Sequence, residues 1–201
     1  MNRNRIGCCR PVWAAVVGAA LAQAVAAQDL PPAARAWGRI EPAAVSIQTI
    51  SPADAFALKA AKGGSVLLID LRSREEAAFG GAAQGVDALV PYTQIAQPLQ
   101  WDAQRQDFVR QRAPGFVDLM QAWVSVLGGD HDTPLLLLCR DGHTAAAAAR
   151  ELVRAGYANV RPVAGGFDGA LEGDGRRHGG WKEALPWQAQ ADARLLFGDP
   201  D

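Results

Sequence analysis

The residues best suited to do chemistry stand where an apolar run turns polar. In LLLLCRDGHTAAAAARELVRAG, Cys139 follows Leu135 to Leu138 and precedes Arg140, Asp141, Gly142, His143 and Thr144. A loop that joins a buried strand to a helix gathers backbone N–H groups without intrahelical partners. The helix dipole adds positive potential, so the loop favours an anion. A cysteine held there is favoured as its nucleophilic thiolate. Gly142 permits a tight turn, and Thr144 is placed to cap the helix and donate to the sulfur. Arg140 and His143 can reach an anionic substrate. Burial alone needs neither an arginine nor a glycine after the cysteine, so the pattern points to a reactive thiol. Asp141 works the other way, because a carboxylate there weakens the binding of an anion.

The elements that position these residues are legible from periodicity. LLLLC reads as a buried strand, and TAAAAARELVRAG as a helix with Ala145, Ala148, Ala149 and Leu152 on one face. Its alanines let the helix lie close to a sheet. Upstream, Ser51-Pro52 starts the helix ADAFALKAAK, which Gly63-Gly64 stops. SVLLID is a second buried strand ending at Asp70, and Ser73 caps the short helix REEAAFG. VDALVPY holds a short strand, QPLQWDAQRQ reads as loop, and GFVDLMQAWVSVL is helical by its apolar spacing. NVRPVA is a third strand. Strands alternating with helices predict an α/β domain with a central, mostly parallel sheet. Ligands in such sheets bind at the carboxyl ends of the strands, where both Asp70 and Cys139 fall.

The sequence has 201 residues, enough for one domain with a proper core. A net charge of −1 implies neither a nucleic-acid nor a membrane partner. The N-terminus carries Arg3, Arg5 and Arg10, then an apolar run, then small residues around Ala24 to Ala27. Residues 1–27 are therefore expected to be a cleaved secretory signal, giving a periplasmic or secreted protein with no membrane attachment after cleavage. Cleavage would remove Cys8 and Cys9 and leave Cys139 as the one cysteine, without an internal disulfide partner. Residues 28–46 read as a Pro- and Ala-rich linker, 47–190 as the domain and 191–201 as a tail. His131, between two aspartates in a glycine turn, reads as a solvated turn, since no second ligand has metal-site spacing. Trp181 and Trp187 read as packing residues.

From about Ile50 to Trp187 the sequence resembles a single-domain rhodanese, a sulfurtransferase. The resemblance rests on VLLIDLRSREEAAFGG, on the Cys-Arg-x-Gly loop with its alanine helix, and on the closing Gly-Phe and Gly-Trp-Lys…Leu-Pro-Trp segments. It implies a three-layer domain, with helices on both faces of the sheet. It also implies a double displacement. Cys139 takes the outer sulfur of a small donor such as thiosulfate, sulfite leaves, and the persulfide passes its sulfur to cyanide, a thiol or a protein acceptor. Backbone N–H groups of residues 140–144 would cradle that sulfur, Asp70 and Arg72 would brace the loop, and neither metal nor other cofactor is required. His143, Thr144 and Asp141 stand where the family often carries Arg or Lys, and GGAAQG replaces a Gly-His-Ile segment. A second reading is a persulfide carrier or protein-binding module with little turnover. A third, a cysteine phosphatase, needs an arginine six positions after the cysteine, where this sequence has Ala145.

Overall fold

A computed structural model describes residues 47–104, 107–198 and 200. The expected signal and linker, residues 1–27 and 28–46, lie outside the described residues. In chain order the elements are α1 (Pro52–Lys62), β1 (Leu67–Asp70), α2 (Arg74–Gly80), β2 (Ala82–Ala83), β3 (Ala88–Leu89), β4 (Thr93–Ile95), β5 (Trp101–Asp102), β6 (Asp107–Phe108), β7 (Arg110–Arg112) and α3 (Phe116–Val126). There follow β8 (Leu135–Leu138), α4 (His143–Arg154), β9 (Val160–Pro162), β10 (Ala170–Leu171), β11 (Arg177–His178), α5 (Trp181–Ala184), β12 (Trp187–Gln188) and α6 (Ala193–Phe197).

The central sheet is parallel, in the order β3-β1-β8-β9, with Ile50 bridging Val163 beyond it. Its inner strands LLID and LLLL are buried throughout, as strands covered on both faces must be. Alternate residues feed two cores. Leu67, Ile69, Leu135, Leu137 and Cys139 pack with Phe116, Met120 and Val124 of α3 and the alanine face of α4. Leu68, Leu136 and Leu138 pack with Ala55 of α1, Phe167 and Trp181. The result is the expected α/β three-layer domain. Each fully buried Leu contributes about 1.5–3 kcal/mol relative to exposure.

Local signals act as read. Ser51 accepts from Asp54 N–H, with Pro52 at the first helical position. Ser73 and Glu76 form a reciprocal capping box at the start of α2. Ala145, Ala148, Ala149 and Leu152 are the buried face of α4.

Two stretches differ from the sequence reading. The segment QPLQWDAQRQ, read as loop, contributes β5 to an arm of two small antiparallel ladders, β4 with β7 and β5 with β6. Trp101 meets Phe108 edge-to-face across it, with ring centroids 5.3 Å apart. Within the expected tail, Asp192 caps α6, and Leu196 carbonyl accepts from Arg74 Nε, which ties α6 to α2. Of the two tryptophans, Trp181 is fully buried while Trp187 keeps 37% of its surface exposed. His131 lies against the Tyr157 ring, centroids 4.6 Å apart. Among the described residues, no helix is long and apolar enough to cross a membrane.

Candidate active site

The chain passes from β1 to β3 on one side and later returns to β8 on the other. Strand order therefore reverses between β1 and β8, and the crevice at their carboxyl ends is where such sheets bind ligands. Asp70 and Leu138 are register partners, and Leu71 N–H donates to Leu138 carbonyl at 2.7 Å. Cys139 thus emerges at the switch point. It is buried, yet it lines the floor of a cleft of about 490 Å³. Arg72, Arg140, Asp141, His143 and Thr144 share that cleft.

Gly142 N–H points at Cys139 Sγ, 3.1 Å away. Gly142 has φ +89° and is the N-cap of α4, so the helix begins at His143. The expectation that Thr144 caps this helix is corrected: Thr144 is its second residue, and no side chain caps it. The left-handed turn at Gly142 brings the helix start forward, leaving Thr144 past the capping position. Asp141 does more than add charge. Its Oδ1 accepts from His143 N–H at 3.2 Å and lies 3.4 Å from His143 Nδ1. An Asx-type turn thereby occupies one amide of the anion-favouring loop. The His143 side chain is 82% exposed at the rim.

Arg140 turns toward carboxylates from three separate segments. It lies 3.5 Å from Asp107, 3.7 Å from Asp168 and 3.9 Å from Glu76. Arg110 of the arm joins the group, 3.1 Å from Glu76 and 3.7 Å from Asp107.

Asp70 and Arg72 are both buried and form a 2.7 Å ion pair, with Arg72 N–H also donating to Asp70 Oδ1. The guanidinium donates onward to Gly81 carbonyl and stacks 3.9 Å from the Phe167 ring centre. Phe167 N–H in turn donates to Cys139 carbonyl at 2.7 Å, and Asp168 N–H to Arg140 carbonyl at 2.8 Å. The pair therefore reaches the cysteine loop through Phe167. Gly166 makes this approach possible: it has φ +63°, and a Cβ there would collide with Cys139 carbonyl oxygen.

Several residues in or beside the cleft escaped sequence reasoning. Glu76, Asp107, Asp168, Phe108, Arg110 and Arg177 are far apart in sequence and form no local motif. The Gly-Gly-Phe run at 165–167 was the one available sign that a backbone packs closely there.

The fold and this strand–cysteine–helix crevice define an α/β domain with a cysteine at the carboxyl edge of its parallel sheet. The rhodanese-like domain family matches residues 53–172, over half of the sequence, so the chain belongs to that family. No curated protein matched it. Among solved structures it is similar to Rv0390 from M. tuberculosis, at 23% identity and TM-score 0.52, covering 72% of this chain and 99% of that one. It is also similar to the polysulfide-sulfur transferase homodimer of Wolinella succinogenes, at 19% identity and TM-score 0.44, covering 73% and 80%. A third is the human single-domain sulfurtransferase TSTD1, at 22% identity and TM-score 0.42, covering 61% and 93%.

Proposed function

We propose that this protein is a sulfurtransferase that carries sulfane sulfur on Cys139. The observation that carries the proposal is Cys139 on the floor of the switch-point cleft with Gly142 N–H directed at its sulfur. In the first step the Cys139 thiolate attacks the terminal sulfur of a donor such as thiosulfate. The donor's S–S bond breaks, sulfite leaves with the electron pair, and Cys139 holds a persulfide. In the second, an acceptor thiolate or cyanide attacks the outer persulfide sulfur and Cys139 leaves as thiolate, so no external oxidant is needed. Gly142 N–H and the start of α4 stabilise the negative charge on sulfur in both steps. Asp70 and Arg72 hold the loop through Phe167, and Thr144 and His143 line the donor's approach.

The test is incubation with sulfane-sulfur donors followed by intact-mass analysis. Cys139 gains one sulfur atom, and Cys139→Ser gains none. A Cys139→Ser protein that releases sulfite as fast as wild type ends this reading.

A second reading, a persulfide carrier serving a protein partner, draws on Asp141, whose carboxylate already occupies His143 N–H. Fast multiple turnover with small thiols alone excludes it. Residues 1–27 have the composition of an export signal, and we place the protein in the periplasm or medium. N-terminal sequencing of protein from those fractions tests that, with cleavage near residue 27 expected and an intact Met1 counting against it.

A further inference from the structure

Granting the sulfur-transfer reading, we infer that the donor this cleft selects is an organic hydropersulfide, R–S–S–H, and that Glu76, Asp107 and Asp168 make the choice. Three independent observations bear on it. First, the cation closest in sequence to Cys139 is already neutralised. Arg140 stands within 3.5–3.9 Å of carboxylates on Asp107, Asp168 and Glu76. Arg110 is drawn to Glu76 and Asp107 as well. Apart from the mutually paired Asp70 and Arg72, the residues in and behind this wall include Glu76, Asp107, Asp141 and Asp168 against Arg110, Arg140 and Arg177. Arg177 itself donates to Gly169 carbonyl. A dianion such as thiosulfate meets little net positive charge. A hydropersulfide reacts as neutral R–S–S–H, so the sulfur that Cys139 attacks brings no negative charge toward the thiolate or this wall.

Second, one amide of the anion loop is taken. His143 N–H is held by Asp141 Oδ1, so a sulfonate-like head group finds fewer donors than an open loop would give it. Third, the cleft is larger than an oxyanion needs. Its volume of about 490 Å³ lies in the range that holds organic ligands and is several times what the five atoms of thiosulfate fill. Its lining also includes Leu71, Phe108 and Val109, apolar side chains for an organic substituent.

The step balances without a further reagent. The Cys139 thiolate attacks the terminal sulfur of R–S–S–H and forms the new S–S bond. The donor's S–S bond breaks, and the leaving RS⁻ takes the donor's proton to become R–SH. Cys139 is left as the persulfide anion.

The experiment compares single-turnover loading of Cys139 in the full-length protein by two probes, thiosulfate and the hydropersulfide of 2-mercaptoethanol. The hydropersulfide is expected to load faster. In Asp107→Asn and Asp168→Asn the thiosulfate-to-hydropersulfide rate ratio is expected to rise by about tenfold, the effect of removing one nearby like charge at the cleft surface. A third measurement needs no variant: raising the salt concentration screens the repulsion and lifts the thiosulfate rate of the wild-type protein relative to the hydropersulfide rate. Preference for thiosulfate, or a ratio unmoved by both variants and by salt, overturns the inference and leaves sulfur transfer standing. Loading by neither donor brings down the sulfur-transfer reading, and this inference with it.

Discussion

At the scale of residues, the site depends on close backbone approaches more than on side-chain variety. Cys139 carbonyl and Arg140 carbonyl are held by Phe167 and Asp168 N–H groups across a contact that leaves no room for a Cβ at position 166. Gly166→Ala is therefore expected to cost about 2–4 kcal/mol, from overpacking and left-handed strain together. It should also slow sulfur loading of Cys139, because the loop must shift to admit the methyl group. Gly173, around which a Cβ would meet nothing within 4 Å, is the control: Gly173→Ala should change stability by less than about 0.5 kcal/mol. Urea denaturation and loading rates on both variants check the pair, and equal effects would contradict the geometry.

At the scale of elements, two polar devices act where β1 passes into α2. The Asp70–Arg72 pair is fully enclosed, and both Gly81 carbonyl and the Phe167 ring depend on the guanidinium. Truncating Arg72 leaves a buried carboxylate without its cation, so Arg72→Ala is expected to lose about 3–5 kcal/mol. Adding Asp70→Asn to Arg72→Ala should recover part of that loss, because the unpaired charge goes. Denaturant midpoints of the two single variants and the double variant measure this coupling. The capping box of α2 is a smaller device. Ser73→Ala removes the acceptor of Glu76 N–H and should cost about 1 kcal/mol. It should also loosen Glu76, and a change in the thiosulfate-to-hydropersulfide loading ratio reports that movement.

At the scale of the whole molecule, a three-residue contact joins the arm, the segment between β3 and β4, and α4. Arg112 and Tyr92 both meet Glu151, Tyr92 OH donating to it at 2.8 Å and Arg112 forming two hydrogen bonds with one of its oxygens. The Arg112 hydrogen bonds first, and that from Tyr92 after them, hold the Glu151 carboxyl below its ordinary value. The unfolded chain therefore binds more protons than the folded one in the acid range. The contribution is complete above the ordinary carboxylate value and is lost as pH falls through the depressed one. Burial first, then the Glu151 bond, pushes the Tyr92 hydroxyl up. Its contribution is present below the ordinary tyrosine value and is lost as pH rises through the raised one. Stability should thus fall at both extremes. Glu151→Gln should flatten both limbs, read as urea midpoints across the pH range. Limbs unchanged by the substitution would place the pH dependence elsewhere.

Much of this was written in local sequence. The apolar runs LLID and LLLL, the serine caps at 51 and 73 and the alanine face of α4 each act within a few residues, so their strands and helices could be read directly. Cys139 stood out at the end of LLLL from its own loop, and the resemblance to rhodaneses implied its chemistry. The arm could not be read this way, because ladders of two or three residues are too short to show a period, and their pairing is long-range. Thr144 was misplaced because a single left-handed glycine moved the helix start by a residue or two. Sequence by itself determined the α/β alternation, the strand ends and the cysteine loop, since those follow from burial pattern and capping along the chain. Only the tertiary structure decided what surrounds Arg140. Glu76, Asp107 and Asp168 come from a helix, an arm and a loop that no local rule connects, and their charges converge only when the sheet brings those elements to one edge.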